Sequence, residues 1–200
     1  MDTDSPRRLV LVRHAKSDWP EHVADHDRPL AARGRRDAPL VGRWLARSGY
    51  VPDAVICSTA RRARETWDLA SGALHSGAPH SGAPHSAAPD SAAPHSAPPD
   101  SAPPHVPPVR LEPRVYEATV LGLLMLVREL PEECRTVAIV GHNPGLAELA
   151  VGLAAPPPQP PASFPTAAVA VLALPGDWSV AGPGEAKLLA FAIPADMRST

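Results

Sequence analysis

Three stretches of this chain carry side chains able to do chemistry, and each follows a short apolar run. Arg13-His14 follows Leu9-Val10-Leu11-Val12, Arg61, Arg62 and Arg64 follow Asp53-Ala54-Val55-Ile56-Cys57, and His142 follows Thr136-Val137-Ala138-Ile139-Val140 and Gly141. A neutral imidazole is a nucleophile, and a guanidinium beside it can hold anionic oxygens through paired hydrogen bonds. Arginines in the first turns of a helix oppose the positive end of its dipole, so that cluster calls for an anion, and a bound phosphoryl group would supply one. Taken alone, an Arg-His pair is also what a solvated strand end looks like. His142 alone reads equally as a satisfied histidine.

The elements that must position these groups follow from the apolar pattern. Successive side chains on a strand point to opposite faces, so Arg13 and His14 serve one ligand only if the first strand ends there. The run before them is a buried strand, and in open α/β sheets ligands bind beyond the carboxyl ends of the strands. Residues 33–48 form an amphipathic helix with Leu40, Val41, Trp44 and Leu45 on one face, stopped by Gly49. Residues 53–57 are a second strand and Ser58 opens the next helix, which implies βαβ winding. Residues 109–113 resume the strand pattern, a helix runs from Thr119 or Val120 to Leu130 and closes at Pro131, residues 136–140 are a strand, and residues 145–153 a helix. Residues 167–174 and 187–193 are the last strands, with Trp178 between them as a packing residue. The expected fold is a three-layer α/β/α sandwich with a mostly parallel central sheet.

Asp18 to Ala32 reads as a loop over the first strand end, where His22 and His26 are solvated residues without metal-ligand spacing around them. Composition divides the chain further. Of its 200 residues 27 are proline, and residues 75–104 are six pentads, HSGAP, HSGAP, HSAAP, DSAAP, HSAPP and DSAPP. With nothing apolar larger than alanine or proline they cannot build a core, so they read as a disordered insertion of polyproline character within one domain made of residues 1–74 and 105–200. The histidines at 75, 80, 85, 95 and 105 suggest a spacer before a metal sensor, since a flexible tract closes a metal site only at entropic cost. A shorter proline loop occupies 156–161. A net charge of −2 gives no drive toward nucleic acid or an anionic membrane, and no run approaches membrane-spanning length. Cys57 and Cys134 have no metal-site spacing and fit a reduced, cytoplasmic protein.

Together, Arg13-His14-Ala15-Lys16-Ser17, Ser58-Thr59-Ala60-Arg61-Arg62-Ala63-Arg64-Glu65-Thr66 and Val140-Gly141-His142-Asn143 resemble the histidine phosphatase superfamily, the phosphoglycerate mutase-like fold. Asp27-Arg28-Pro29-Leu30 with Gly34, and Phe164-Pro165-Thr166, look most like its SixA-type phosphohistidine phosphatases. The resemblance implies a metal-independent phosphohydrolase without a cofactor, in which His14 is the nucleophile and Arg13, Arg62 and His142 hold the phosphoryl oxygens. Arg62 stands at the matching position of the S-x-x-x-R-A pattern. Glu117 reads either as the leaving-group acid or as a surface carboxylate, and Ser17 either as a phosphate donor or as a cap of local backbone. The implied partner is a phosphohistidine-bearing protein or, alternatively, a small phosphorylated molecule such as a sugar or nucleotide phosphate. A non-catalytic phosphate-binding or tethering protein is the rival of another class. Three departures from the family pattern stand out: Ala15 replaces a frequent glycine, Pro20 replaces the mutases' phosphate-contacting asparagine, and Leu30-Ala31 lacks the hydroxyl of the frequent Leu-Thr.

Overall fold

The computed structural model describes residues 6–74, 106–156 and 163–198. The pentad repeats, His105 and most of the 156–161 proline loop lie outside the described residues.

Alternation along the strands decides the layers. Within β1 (Arg7–Arg13), Leu9 and Leu11 face one side of the sheet and Val10 and Val12 the other, and all four are fully buried. Both faces of the strand therefore need cover, which is the signature of a sheet between two helical layers. β2 (Ala54–Ser58), β3 (Val109–Glu112), β4 (Thr136–Gly141), β5 (Val169–Leu174) and β6 (Lys187–Ala192) complete the six-stranded sheet described, in the order β3-β2-β4-β1-β5-β6. β1 pairs in parallel with β4, which pairs in parallel with β2, and β2 with β3; β5 is antiparallel to both β1 and β6, the one strand of the described sheet that runs opposite to the rest. α1 (Ala32–Arg47) and α2 (Arg61–Leu74) pack on the Val10 and Val12 face, together with α5 (Pro194–Arg198). α3 (Val120–Arg128) and α4 (Gly145–Leu153) pack on the Leu9 and Leu11 face. This is the expected three-layer sandwich.

Local chemistry accounts for the boundaries. Gly49 takes φ +71° just past α1, Tyr50 N–H donates to Leu45 O at 2.9 Å and Gly49 N–H to Ala46 O at 3.3 Å, a Schellman stop. Thr119 caps α3 by accepting from Gly122 N–H at 3.2 Å. Trp178 is fully buried and its indole donates to Cys134 O at 2.9 Å. Most boundaries shift by one or two residues, and two of the shifts bear on the site. Ser58 closes β2 instead of opening a helix, because α2 starts only at Arg61. The fifth strand starts at Val169, since Ala167, at φ +60°, lies in a turn and donates to the Arg13 and His14 carbonyls.

Three of the strands end together. β1, β2 and β4 are adjacent and parallel, so Arg13, Ser58 and Gly141 finish at one edge of the sheet. His14 begins just beyond, its N–H held by Gly141 O at 3.0 Å.

Candidate active site

Because β1 stops at Arg13, His14 is free to turn toward its neighbour strand's histidine. Its ring lies 5.0 Å from that of His142, centroid to centroid. His14 Nδ1 sits 2.8 Å from Ala15 O. A carbonyl can only accept, so Nδ1 carries the proton and Nε2 keeps its lone pair. His14 is 8 % exposed, and burial pulls its pKa down to about 4, with Arg62, Arg13 and Arg28 pushing the same way. His142 is lowered to about 3, again by burial first and then by His14 and Arg62. Two neutral imidazoles therefore stand side by side near neutral pH.

The loop after His14 is pinned from α2 and α1. Ala15 N–H donates to Thr66 Oγ1 at 3.0 Å, and Thr66 in turn donates to Arg62 O at 2.6 Å. Gly34 of α1 lies against the same loop: a Cβ there would stand 2.1 Å from Lys16 O. Ala31, where the family frequently has threonine, caps α1 with no side-chain hydrogen bond, so the absent hydroxyl is an absent helix cap.

Arg62, 7 % exposed, donates through Nη1 to Asp25 O at 2.6 Å and through Nη2 to Asp25 Oδ2 at 2.9 Å. Asp25 also accepts from Arg28 Nη1 at 2.7 Å and from the Tyr116 hydroxyl at 2.8 Å. The Arg28 hydrogen bond comes first among the causes that hold this carboxyl far below the usual range, with Tyr116 and Arg62 adding to it. Asp25 is thus an anion facing the first turn of α2, where the arginine cluster calls for one, and it stays ionised. Glu65 plays a comparable part for Arg61 at 2.7 Å while accepting from Leu30 N–H at 2.9 Å.

Arg13 donates through Nη1 to Phe164 O at 2.7 Å, and burial lowers its pKa. His142 Nε2 is 2.9 Å from Ser58 Oγ. Arg13 Nε and His142 Nδ1 are buried without a hydrogen-bond partner. Such groups cost about 1–3 kcal/mol each unless a ligand completes them. A cavity of about 430 Å³ opens over this edge, walled by Asp25, Arg62, Tyr116, Glu117, His142 and Glu148 among others.

The structure thus brings Arg13, His14, Arg62 and His142 together. Glu117 is exposed, takes φ +54° and lines the cavity mouth. Ser17 is buried and its Oγ accepts from Arg28 Nη2 at 2.8 Å, so its oxygen is engaged in holding the loop. From the sequence, Asp25 and His26 are not assigned to the site, and Ser58 and Thr66 stand in the second motif without a role there. His26 keeps a side chain 39 % exposed in the loop, as expected, and also lies 2.9 Å from Thr59 Oγ1 and edge-on to Tyr116 at 5.0 Å. Spacing offered one hint, the i, i+3 placement of Asp25 before Arg28. Among the described residues, no group of three or more His, Cys, Asp or Glu is arranged to hold a metal ion, and no helix is long and apolar enough to cross a membrane.

Comparison with known proteins agrees with this architecture. The family model for the histidine phosphatase superfamily, branch 1, matches residues 9–81. An uncharacterized protein of Mycobacterium tuberculosis is 34 % identical over 190 residues, covering 92 % of this chain and 99 % of that one. Among solved structures, a candidate phosphohistidine phosphatase SixA from Nakamurella multipartitia is 28 % identical at a TM-score of 0.68, covering 94 % of this chain and 96 % of that one. The protein histidine phosphatase SixA complexed with tungstate, 20 % identical, shares the fold at a TM-score of 0.67 over 95 % of this chain and 99 % of that one. The chain belongs to the histidine phosphatase superfamily. Its activity class is that of a phosphatase.

Proposed function

We propose that this phosphatase hydrolyses phosphohistidine on proteins through a phosphoryl group carried transiently on His14, without a metal cofactor. The observation that supports this best is the 2.8 Å contact between His14 Nδ1 and Ala15 O, which leaves Nε2 unprotonated at the sheet edge. Nε2 attacks phosphorus while the bond from phosphorus to the substrate nitrogen breaks, and the departing imidazole keeps a proton. Water then attacks phosphorus, the bond to Nε2 breaks, and inorganic phosphate leaves with His14 restored. Phosphoryl transfer asks for positioning and for charge on the equatorial oxygens. Arg13 and Arg62 supply the charge. In the tautomer where Ser58 donates to His142 Nε2, the buried Nδ1–H of His142 is a donor for one oxygen, as is Arg13 Nε.

Asp25, held ionised, is no proton donor, which leaves Glu117 and Glu148 as the other carboxyls of the cavity wall, and of these Glu117 stands where the family resemblance puts the acid. A protonated imidazole leaves readily without such help, whereas an alkoxide does not. The segments from 18 to 31 and from 116 to 119 are too short to build a cap around a large small-molecule substrate. Similarity to the Nakamurella protein supports the same substrate class.

Rapid quench at alkaline pH followed by mass spectrometry is the test, because a phosphoramidate survives base and falls to acid. Label on the peptide containing His14, and loss of turnover in His14→Ala, are expected. Label on a serine, or full activity in that variant, overturns the mechanism. A specificity constant for sugar or nucleotide phosphates far above that for phosphohistidine protein transfers the function to small phosphomonoesters.

A further inference from the structure

The cavity over His142 continues beyond its polar wall. Val120 at the start of α3 and Glu148 in the first turn of α4 belong to its lining, and the same two residues begin a second, shallow hollow of about 470 Å³ completed by Ala147, Val151 and Gly152. The walls of this hollow are almost wholly carbon. A Cβ at Gly152 would meet only Val120 Cγ2, at 4.0 Å, so the two helices leave an open step.

The step is not spare core. α3 buries Leu123, Leu126 and Val127, and α4 buries Leu146, Leu149, Ala150 and Leu153, on the far side of each helix. Val120, Leu121 and Val151 are left in solvent, Val151 at 47 % exposure. An apolar patch that adjoins a catalytic cavity is a contact surface more often than an accident of composition. The charges beside it are Glu117 and Glu148; among the residues lining the two hollows, Arg62 is the one arginine or lysine.

These features select an occupant. A small phosphomonoester fits inside the cavity and leaves the step bare. A polypeptide delivering a phosphorylated side chain is large enough to lie across both, because the two hollows adjoin at Val120 and Glu148. Acidic rims repel polyanions and steer cations.

We propose that the α3–α4 step is the docking surface for the protein substrate, which seats an apolar face on Val120 and Val151 and sets a lysine or arginine against Glu148. The inference rests on the proposal that the substrate is a phosphohistidine protein. The surface adds affinity for the carrier of the phosphoryl group and leaves its chemistry alone.

Two substrates separate the possibilities: a small helical protein phosphorylated on a surface histidine with phosphoramidate, and the free amino acid phosphohistidine. Val151→Asp is expected to raise KM for the protein at least about fivefold with kcat unchanged, the size of losing one apolar anchor. It leaves turnover of free phosphohistidine, and the melting temperature, at wild-type values. Glu148→Lys is expected to raise KM for the protein by an amount that shrinks as salt is added. Equal effects of Val151→Asp on both substrates, or none on either, overturn the docking surface. Wild-type enzyme that turns over free phosphohistidine and ignores the phosphorylated protein overturns the protein-substrate reading and this surface with it.

Discussion

Lowering the pH from about 7 to about 5 tests the electrostatics of the site without touching its sequence. Burial keeps His14 neutral down to about pH 4 and His142 down to about pH 3. In the unfolded chain an imidazole takes up its proton near pH ~6.5. Above that value neither state binds the proton. Below it the unfolded state binds more, so stability falls as the pH falls, and for His14 the loss is complete only near pH 4. At about 1.4 kcal/mol per pH unit for each group, descending from about 6.5 to about 5 costs about 2 kcal/mol per histidine and about 4 kcal/mol for the pair. Carboxylates titrate near ~4 when unfolded and add little in this window. Urea titrations at the two pH values give the difference directly. His14→Asn and His142→Asn are each expected to remove about half of the pH dependence. A wild-type stability that stays level across the window, or variants that retain its full slope, would refute the claim that both imidazoles are buried neutral.

Arg62→Ala removes a guanidinium that Asp25 holds at the cavity wall and that the proposed mechanism sets against transition-state charge, and aryl phosphate turnover should fall on the order of a hundredfold, about 3 kcal/mol; near-wild-type turnover would mean the phosphoryl group sits elsewhere. Glu117→Gln should slow alkyl phosphates far more than aryl phosphates or phosphohistidine, and equal slowing across the three would remove Glu117 as the acid. Gly34→Ala drives a methyl into the Lys16 carbonyl, 2.1 Å away, and is expected to cost about 1–3 kcal/mol in chemical denaturation together with activity, since that loop carries His14. Removing residues 75–104 should leave the melting temperature within about 3 °C and turnover unchanged, because the pentads lack core-forming side chains; a fall of about 10 °C would show that they pack on the domain.

Much of this protein was legible in its residues because apolar alternation is a local property. β1, with buried side chains on both faces, already required helices above and below, and the residue after its end already carried the nucleophile candidate. The Gly49 stop, the start of α4 at Gly145 and the placement of Arg13, His14 and His142 at strand ends all depend on neighbours a few positions away. What lies within one element can be read from one element.

The tertiary structure decided everything that depends on which elements become neighbours. The order β2-β4-β1 sets Ser58 beside His142, 84 residues away, and puts the two histidines in ring contact. The Asp25 and Arg62 pair spans 37 residues and joins a loop to a helix, so neither residue's local sequence announces it. The same is true of the contacts His26 makes with Thr59 and Tyr116 from its largely solvated place in the loop. Burial, and with it the lowering of both imidazole pKa values, belongs to the assembled site alone, because desolvation is the work of atoms brought in from β1, α2, β4 and the loops between them.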